Sequence, residues 1–163
     1  MSELIIIPDV HGRPFWRDAV KGHEEDGIVF LGDYLDPYAW EGITTEEAFM
    51  ALMDIIALKR SHPDNVTLLL GNHDLGYLDQ SICTCRMDWR RRTDIHDVLL
   101  ENLDLFDLVH IKQDGDRLLG GFLHLFGHTL HNGGPINVRN HGFCLDCAEA
   151  FTLPLGLSNP QTP

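Results

Sequence analysis

Residues 4–10 are a mainly apolar run, with Pro8 and Asp9 near its end, closed by His11-Gly12. A segment apolar on both faces suits a strand buried inside a parallel sheet, and its polar end predicts a functional turn. From Pro14 to about residue 26 the chain is polar, with Phe15, Trp16, Ala19 and Val20 on one side. That pattern predicts a helix, and Pro14 suits its first turn. Residues 28–31 form a second apolar run, ended by Gly32-Asp33. Thr44 and Thr45 followed by Glu46 and Glu47 resemble a helix start. Helical periodicity then continues through Phe49, Leu52, Met53, Ile56 and Ala57 to residue 60. Residues 66–70 read as a third buried strand, ended by Gly71-Asn72.

The first 75 residues therefore read strand, helix, strand, helix, strand, which implies a parallel sheet with right-handed crossovers. In open α/β sheets, sites form beyond the carboxyl ends of the strands. Residues 75–103 read as a charged helix, and residues 106–111 and 118–126 as strands. Residues 136–157 carry mixed strand-like runs, and residues 158–163 read as a frayed tail. With no internal repeat and no linker, residues 1–157 read as a single domain.

Hydrophobic residues make up 44% and charged residues 23%, which suits a soluble globular chain and not a disordered one. No apolar run approaches membrane-span length, and the N-terminus lacks the basic start of a signal peptide, so a cytoplasmic location is expected. The net charge of −13 repels nucleic acid and anionic membrane, so neither is an expected partner. A phosphate-bearing substrate would meet the same repulsion unless a local cation overcame it. The pairs Cys83/Cys85 and Cys144/Cys147 could build a zinc site, but the first spacing is unusual and reduced thiols are the simpler reading.

Four clusters follow apolar runs: Asp9-Val10-His11-Gly12-Arg13, Gly32-Asp33-Tyr34-Leu35-Asp36, Gly71-Asn72-His73-Asp74 and Gly127-His128-Thr129. They supply carboxylates, imidazoles and a carboxamide, which are ligands for first-row divalent metals. Asp9 and His11 are two apart, so both point to one side of an extended strand end. Asp33 could bridge two ions, and such pairs clamp the attacking and leaving oxygens of a phosphoryl displacement. Two divalent cations against two ligand carboxylates leave a positive surplus that favours a phosphate dianion. Asp74 reads as a helix cap before Leu75. Trp16, Trp40 and Trp89 read as packing residues, while Tyr34 and Tyr38 lie beside the site and could flank a substrate.

These motifs, in this order, resemble those of the calcineurin-like metallophosphoesterases, most narrowly the branch of Ser/Thr protein phosphatases and diadenosine tetraphosphatases. The resemblance spans Asp9 to about His128. It implies an α/β fold, a shortened metallophosphoesterase-type β-sandwich with flanking helices. It also implies two divalent metal ions, with manganese first and iron, zinc, nickel or cobalt compatible. Asp9 and His11 would bind the first ion, Asp33 would bridge, and Asn72 and His128 would bind the second. His73 would be the general acid, oriented by Asp36, since a carboxylate fixes an imidazole's tautomer. The implied function is hydrolysis of a phosphate ester by metal-activated water. The implied substrates are a phosphorylated small molecule, a nucleotide polyphosphate or a phosphoprotein.

The chain departs from the pattern in three places. It lacks the family's Ser-His-Ala-Gly-like strand end, for which His110 and His124 are spare histidines better read as surface or packing residues. His124 and His128 on one strand would stand roughly 13 Å apart, too far to share an ion. Leu130 stands where many members carry a second terminal histidine, with His131 displaced, and Pro37-Tyr38 follows Asp36 where the phosphatase branch carries a phosphate-binding arginine. Arg13 and Arg86 are candidate substrate contacts. Arg86 and Arg90 would share a helix face within the Arg86, Arg90, Arg91, Arg92 cluster, whose simpler reading is a solvated face. The alternative function is a weakly active or inactive metal-binding remnant that acts through binding.

Overall fold

The computed structural model describes residues 3–79, 81–82, 84–107, 124–126, 136–138, 142–144 and 150–154. Three strands, β1 (Glu3–Ile7), β2 (Gly27–Phe30) and β3 (Val66–Leu69), alternate with two helices, α1 (Phe15–Val20) and α2 (Thr45–Ser61). The strands pair in parallel, with Ile5 opposite Ile28 and Ile28 opposite Val66. Helices α3 (Asn72–Leu78) and α4 (Arg92–Glu101) follow, and then β4 (Phe106–Asp107) joins β3 in parallel. Strands β5 (His124–Phe126), β6 (Ile136–Val138) and β7 (Gly142–Cys144) form a second sheet in the order β5-β7-β6. Strand β8 (Phe151–Pro154) returns to the first sheet antiparallel to β1, giving the order β4-β3-β2-β1-β8. The predicted βαβαβ unit is therefore present in its predicted order. Among the described residues no helix is long and apolar enough to cross a membrane.

The sheet is covered because its neighbours supply apolar stripes. Ile5, Ile7, Ile28, Phe30, Val66 and Leu68 meet Leu52, Ile55 and Ile56 of α2, Trp16 and Val20 of α1, and Ile95 and Leu99 of α4. Each such aliphatic or aromatic side chain contributes roughly 1.5–3 kcal/mol by leaving water. β1 is buried through Ile5, Ile6 and Ile7 without alternation, as a central parallel strand should be.

Two predicted helices are shorter than their patterns. The first stops at Val20, because Gly22 adopts φ 81° in the following turn. The long helix expected over residues 75–103 is instead α3 and α4 with irregular chain between them. Asp79 accepts from the Ser81 N–H, and the Asp88 carboxylate accepts from the N–H groups of Arg90 and Arg91 before α4 begins. Short acidic side chains that bind nearby N–H groups compete with the helix in this way. Arg86 thus lies off any helix, and its expected face-sharing with Arg90 does not occur.

The start of α2 matches its sequence signal in full. The Thr44 hydroxyl accepts from the Glu47 N–H at 3.1 Å, and the Glu47 carboxylate accepts from the Thr44 N–H at 2.8 Å. This reciprocal cap satisfies two N–H groups that would otherwise lack partners. Replacing Thr44 with Ala is expected to cost about 1 kcal/mol. In urea unfolding the midpoint should fall while the slope stays constant.

Candidate active site

Because β1, β2 and β3 are parallel neighbours, roughly 4.8 Å apart, their carboxyl ends deliver three loops to one place. The β1–β2 pairing continues into those loops. The His11 N–H donates to the Asp33 carbonyl at 2.7 Å, and the Gly12 N–H to the Tyr34 carbonyl at 2.9 Å. His11, Asp33 and Asp36 all have left-handed backbone, with φ of 45°, 49° and 59°. Such conformations cost energy away from glycine and concentrate at functional sites. Gly12, at φ 76°, is also pressed against α2, where a Cβ would stand 2.8 Å from the Ala48 Cβ. Gly71 has no such φ, but any Cβ there would collide with Asp33. Glycine is required at both positions for close approach.

Two buried carboxylates tie the loops together. Asp33 accepts from the His73 N–H at 2.8 Å. Asp74 is 0% exposed and accepts from the N–H of Tyr34 at 3.0 Å and of Gly71 at 2.9 Å. Asp74 is therefore not the cap residue before Leu75: α3 already begins at Asn72, and Asp74, its third residue, reaches back to the Gly71 N–H and across to the β2 loop. Burial, reinforced by the Asp33 charge, pushes the Asp74 carboxyl well above its ordinary range.

The ligating atoms of His11, Asp33 and His73 all lie within 4.8 Å of one another, and all three residues are buried. The sequence motifs placed these three together, and the fold brings them together. Nδ1 of His11 donates to the Leu35 carbonyl at 2.6 Å, which leaves Nε2 as the atom with a lone pair facing the site. Burial, helped by nearby His73, Arg86 and Arg13, lowers the His11 pKa from 6.5 to about 3 despite the Leu35 bond. A neutral imidazole with an oriented lone pair is the form that binds a metal. Asp9 is buried on the same loop, and half-buried Asn72 opens α3 beside Gly71. The site thus buries Asp9, Asp33 and Asp36 together. Buried carboxylates need compensating cations, so the donor set fits divalent metal ions. His128 lies outside the described residues, as do His110, His131, Cys83, Cys147 and residues 158–163.

His73 is held by a network that the motifs only half disclose. Its Nδ1 donates to Asp36 at 2.7 Å. The same carboxylate accepts from the Tyr77 hydroxyl at 2.5 Å and the Thr84 hydroxyl at 3.0 Å. Burial alone would raise the Asp36 carboxyl, but the bonds from His73, Tyr77 and Thr84 outweigh it and hold the acid below its ordinary value. The Asp36 charge therefore persists, and it fixes the His73 tautomer with Nε2 facing the site. Tyr77 sits one helical turn beyond His73, a spacing that could have flagged it. No sequence signal marked Thr84.

Arg86 turns back into the site from the chain between α3 and α4. Its Nε donates to the Asp36 carbonyl at 2.9 Å, and its Nη2 lies 3.3 Å from Nε2 of both His11 and His73. Its guanidinium packs 3.7 Å from the Tyr38 ring centroid. The chain between the two helices thus brings a guanidinium into the site from 50 residues beyond Asp36. Arg13 is buried, with Nε paired to Glu41 at 3.0 Å and Nη1 donating to the Asp9 carbonyl at 3.2 Å, so it braces the first loop. Two aromatic readings are corrected. Tyr34 does not flank a substrate: it is fully buried, with its hydroxyl donating to the Leu69 carbonyl. Trp40 and Trp89 are not packing residues, at 73% and 64% exposed, whereas Trp16 does pack in the core.

Loops of this make-up on a helix-flanked parallel sheet define a phosphoesterase architecture. The chain belongs to the calcineurin-like phosphoesterase family, whose profile matches residues 3–155. Its mixed α/β structure is in keeping with a shortened version of that fold. Among solved structures it is similar to a protein serine/threonine phosphatase from Saccharomyces cerevisiae with similarity to human phosphatase PP5. That likeness has 20% identity, covers 62% of this chain and 33% of that one, and has a TM-score of 0.39. It is also similar to the cold-active protein-tyrosine phosphatase of a psychrophile, Shewanella sp. (20% identity, 62% and 32% covered, TM-score 0.38). The matched part spans about a third of each of those proteins.

The buried neutral state of His11 has a consequence for stability. Below its ordinary value of 6.5 the unfolded chain binds a proton there that the folded chain refuses down to about 3. Stability of the chelator-treated protein should therefore fall as pH drops through that window. Asn tolerates left-handed backbone. The His11→Asn variant should show a flatter dependence above the carboxylate range, measured by urea unfolding at each pH.

Proposed function

We propose that this protein hydrolyses a phosphate ester at a dinuclear metal centre. The observation that carries the reading is the buried His11–Asp33–His73 group at adjacent strand ends, with His73 held by Asp36. Asp9 and His11 would hold the first ion, Asp33 would bridge, and Asn72 with His128 would hold the second. Manganese is favoured, and iron, zinc, nickel and cobalt suit the same donors. Bound divalent ions supply Lewis-acid polarisation of the phosphoryl group and acidify water to a nucleophile near neutral pH.

The chain's own residues account for the remaining steps. The Arg86 guanidinium, with its donors fixed by the Asp36 carbonyl and the Tyr38 face, grips the phosphoryl oxygens. Arg13 keeps the Asp9–His11 loop in position through Glu41. His73 delivers a proton from Nε2 to the leaving oxygen, while Asp36 stabilises the charged imidazole before the transfer. Local positive charge at Arg86 and the ions offsets the repulsion of a chain at −13. Phosphorylated small molecules, nucleotide polyphosphates and phosphoproteins are the substrates this chemistry admits, acting in the cytoplasm.

Metal content and p-nitrophenyl phosphate turnover test the reading together. Two ions per chain and manganese-dependent turnover are expected. Asp33→Asn should abolish both. His73→Asn should keep the ions and lower kcat by roughly 10²–10⁴-fold. Arg86→Ala should chiefly raise KM. Retained metal with no turnover in the unaltered protein would instead favour a metal-binding remnant.

A further inference from the structure

Trp40 is the most exposed large hydrophobic residue among those described, at 73%. It sits in a single 3-10 turn, Ala39–Glu41, immediately after the Asp33–Asp36 loop. Its ring lies 4.5 Å from that of Tyr38, tilted by 36°. Tyr38 in turn meets the His11 ring edge-on at 5.2 Å and the Arg86 guanidinium at 3.7 Å. An unbroken line of contacts therefore runs from the His11 imidazole and the Arg86 guanidinium, through Tyr38, to an indole open to water. The line is anchored: Glu41 of the same turn pairs with buried Arg13, which bonds the Asp9 carbonyl. A large apolar ring open to solvent beside a polar centre contributes little to folding and offers a face to a flat ligand.

We infer that Trp40, braced by Tyr38, is a stacking platform for the base of a nucleotide whose phosphate is held at Arg86. This rests on the phosphoesterase reading and names its substrate class. The order of contacts, Arg86 to Tyr38 to Trp40, favours a nucleotide over a simple aryl ester. An aryl ring bonded directly to the phosphoryl oxygen would fall at the level of Tyr38, which Arg86 already covers. The open ring is one further out, where a sugar between phosphate and base would place the second aromatic group. Stacking accepts any base, because each offers a flat π-face. The surrounding negative charge does not oppose a neutral ring, while Arg86 supplies the cation for its phosphate.

Two measurements test this. First, AMP is titrated into the Trp89→Phe protein, so that emission reports on Trp40 and buried Trp16. AMP should quench that emission with saturation, and should not do so after a further Trp40→Ala change. Second, kcat/KM for AMP relative to β-glycerophosphate should fall about tenfold or more in Trp40→Ala and recover largely in Trp40→Phe. Quenching without turnover of any substrate would uphold the platform and overturn the phosphoesterase reading. Turnover with an unchanged AMP preference in Trp40→Ala would overturn the platform alone. Absent quenching, together with a dimer that Trp40→Ala dissociates in sedimentation, would overturn it in favour of a self-interface.

Discussion

Asp33 and Asp74 are the pair on which the site depends. Each is an acidic group buried where its charge is costly, and each accepts from a backbone N–H of another loop. Asp33 takes the His73 N–H, and Asp74 takes those of Tyr34 and Gly71. Those bonds force the ends of β2 and β3 so close that Gly71 has no room for a Cβ. Once the loops are fixed, the left-handed turns at His11, Asp33 and Asp36 follow as the way to aim three polar side chains into one small volume. The strain is carried by the packed sheet below, where Ile5, Ile7, Ile28, Phe30 and Leu68 leave little freedom.

This arrangement divides the electrostatic labour. Burial keeps His11 neutral and its Nε2 lone pair available, so it is a donor to cations. Three hydrogen bonds hold the Asp36 acid below its ordinary value, and its carboxylate fixes the tautomer of the neighbouring His73. Two imidazoles whose ring centroids are 5.0 Å apart are thus given different tasks by what lies behind each. A carbonyl stands behind the first and a carboxylate behind the second. Arg86 reaches the Nε2 atoms of both rings and supplies the positive charge that the sequence lacks after Asp36.

The parallel βαβαβ core was legible because its period and its punctuation agree. Apolar runs end in Gly-polar clusters, and the Thr44–Glu47 cap announces α2. Asp9, His11, Asp33, Asp36, Asn72 and His73 were legible as a group because short polar clusters at buried strand ends rarely arise for packing alone. The break between α3 and α4 was not legible. Residues 75–103 carry enough helix-forming side chains to hide the local bonds of Asp79 and Asp88, which are tertiary choices. Thr84 escaped assignment for the same reason, since its role depends on the chain turning back toward Asp36, and Arg86, a candidate substrate contact from the sequence, was expected on a helix face that the chain does not form. Trp40 was misread because an indole in an amphipathic sequence looks like core until its turn is placed at the surface.

We propose that the strand-end loops converge on a metal centre. Anomalous diffraction at the manganese edge from manganese-loaded crystals tests it directly. The account predicts peaks at coordination distance, roughly 2.0–2.3 Å, from Nε2 of His11 and the Asp33 carboxylate. Crystals that show no peak there, or manganese bound only at surface carboxylates, would contradict it.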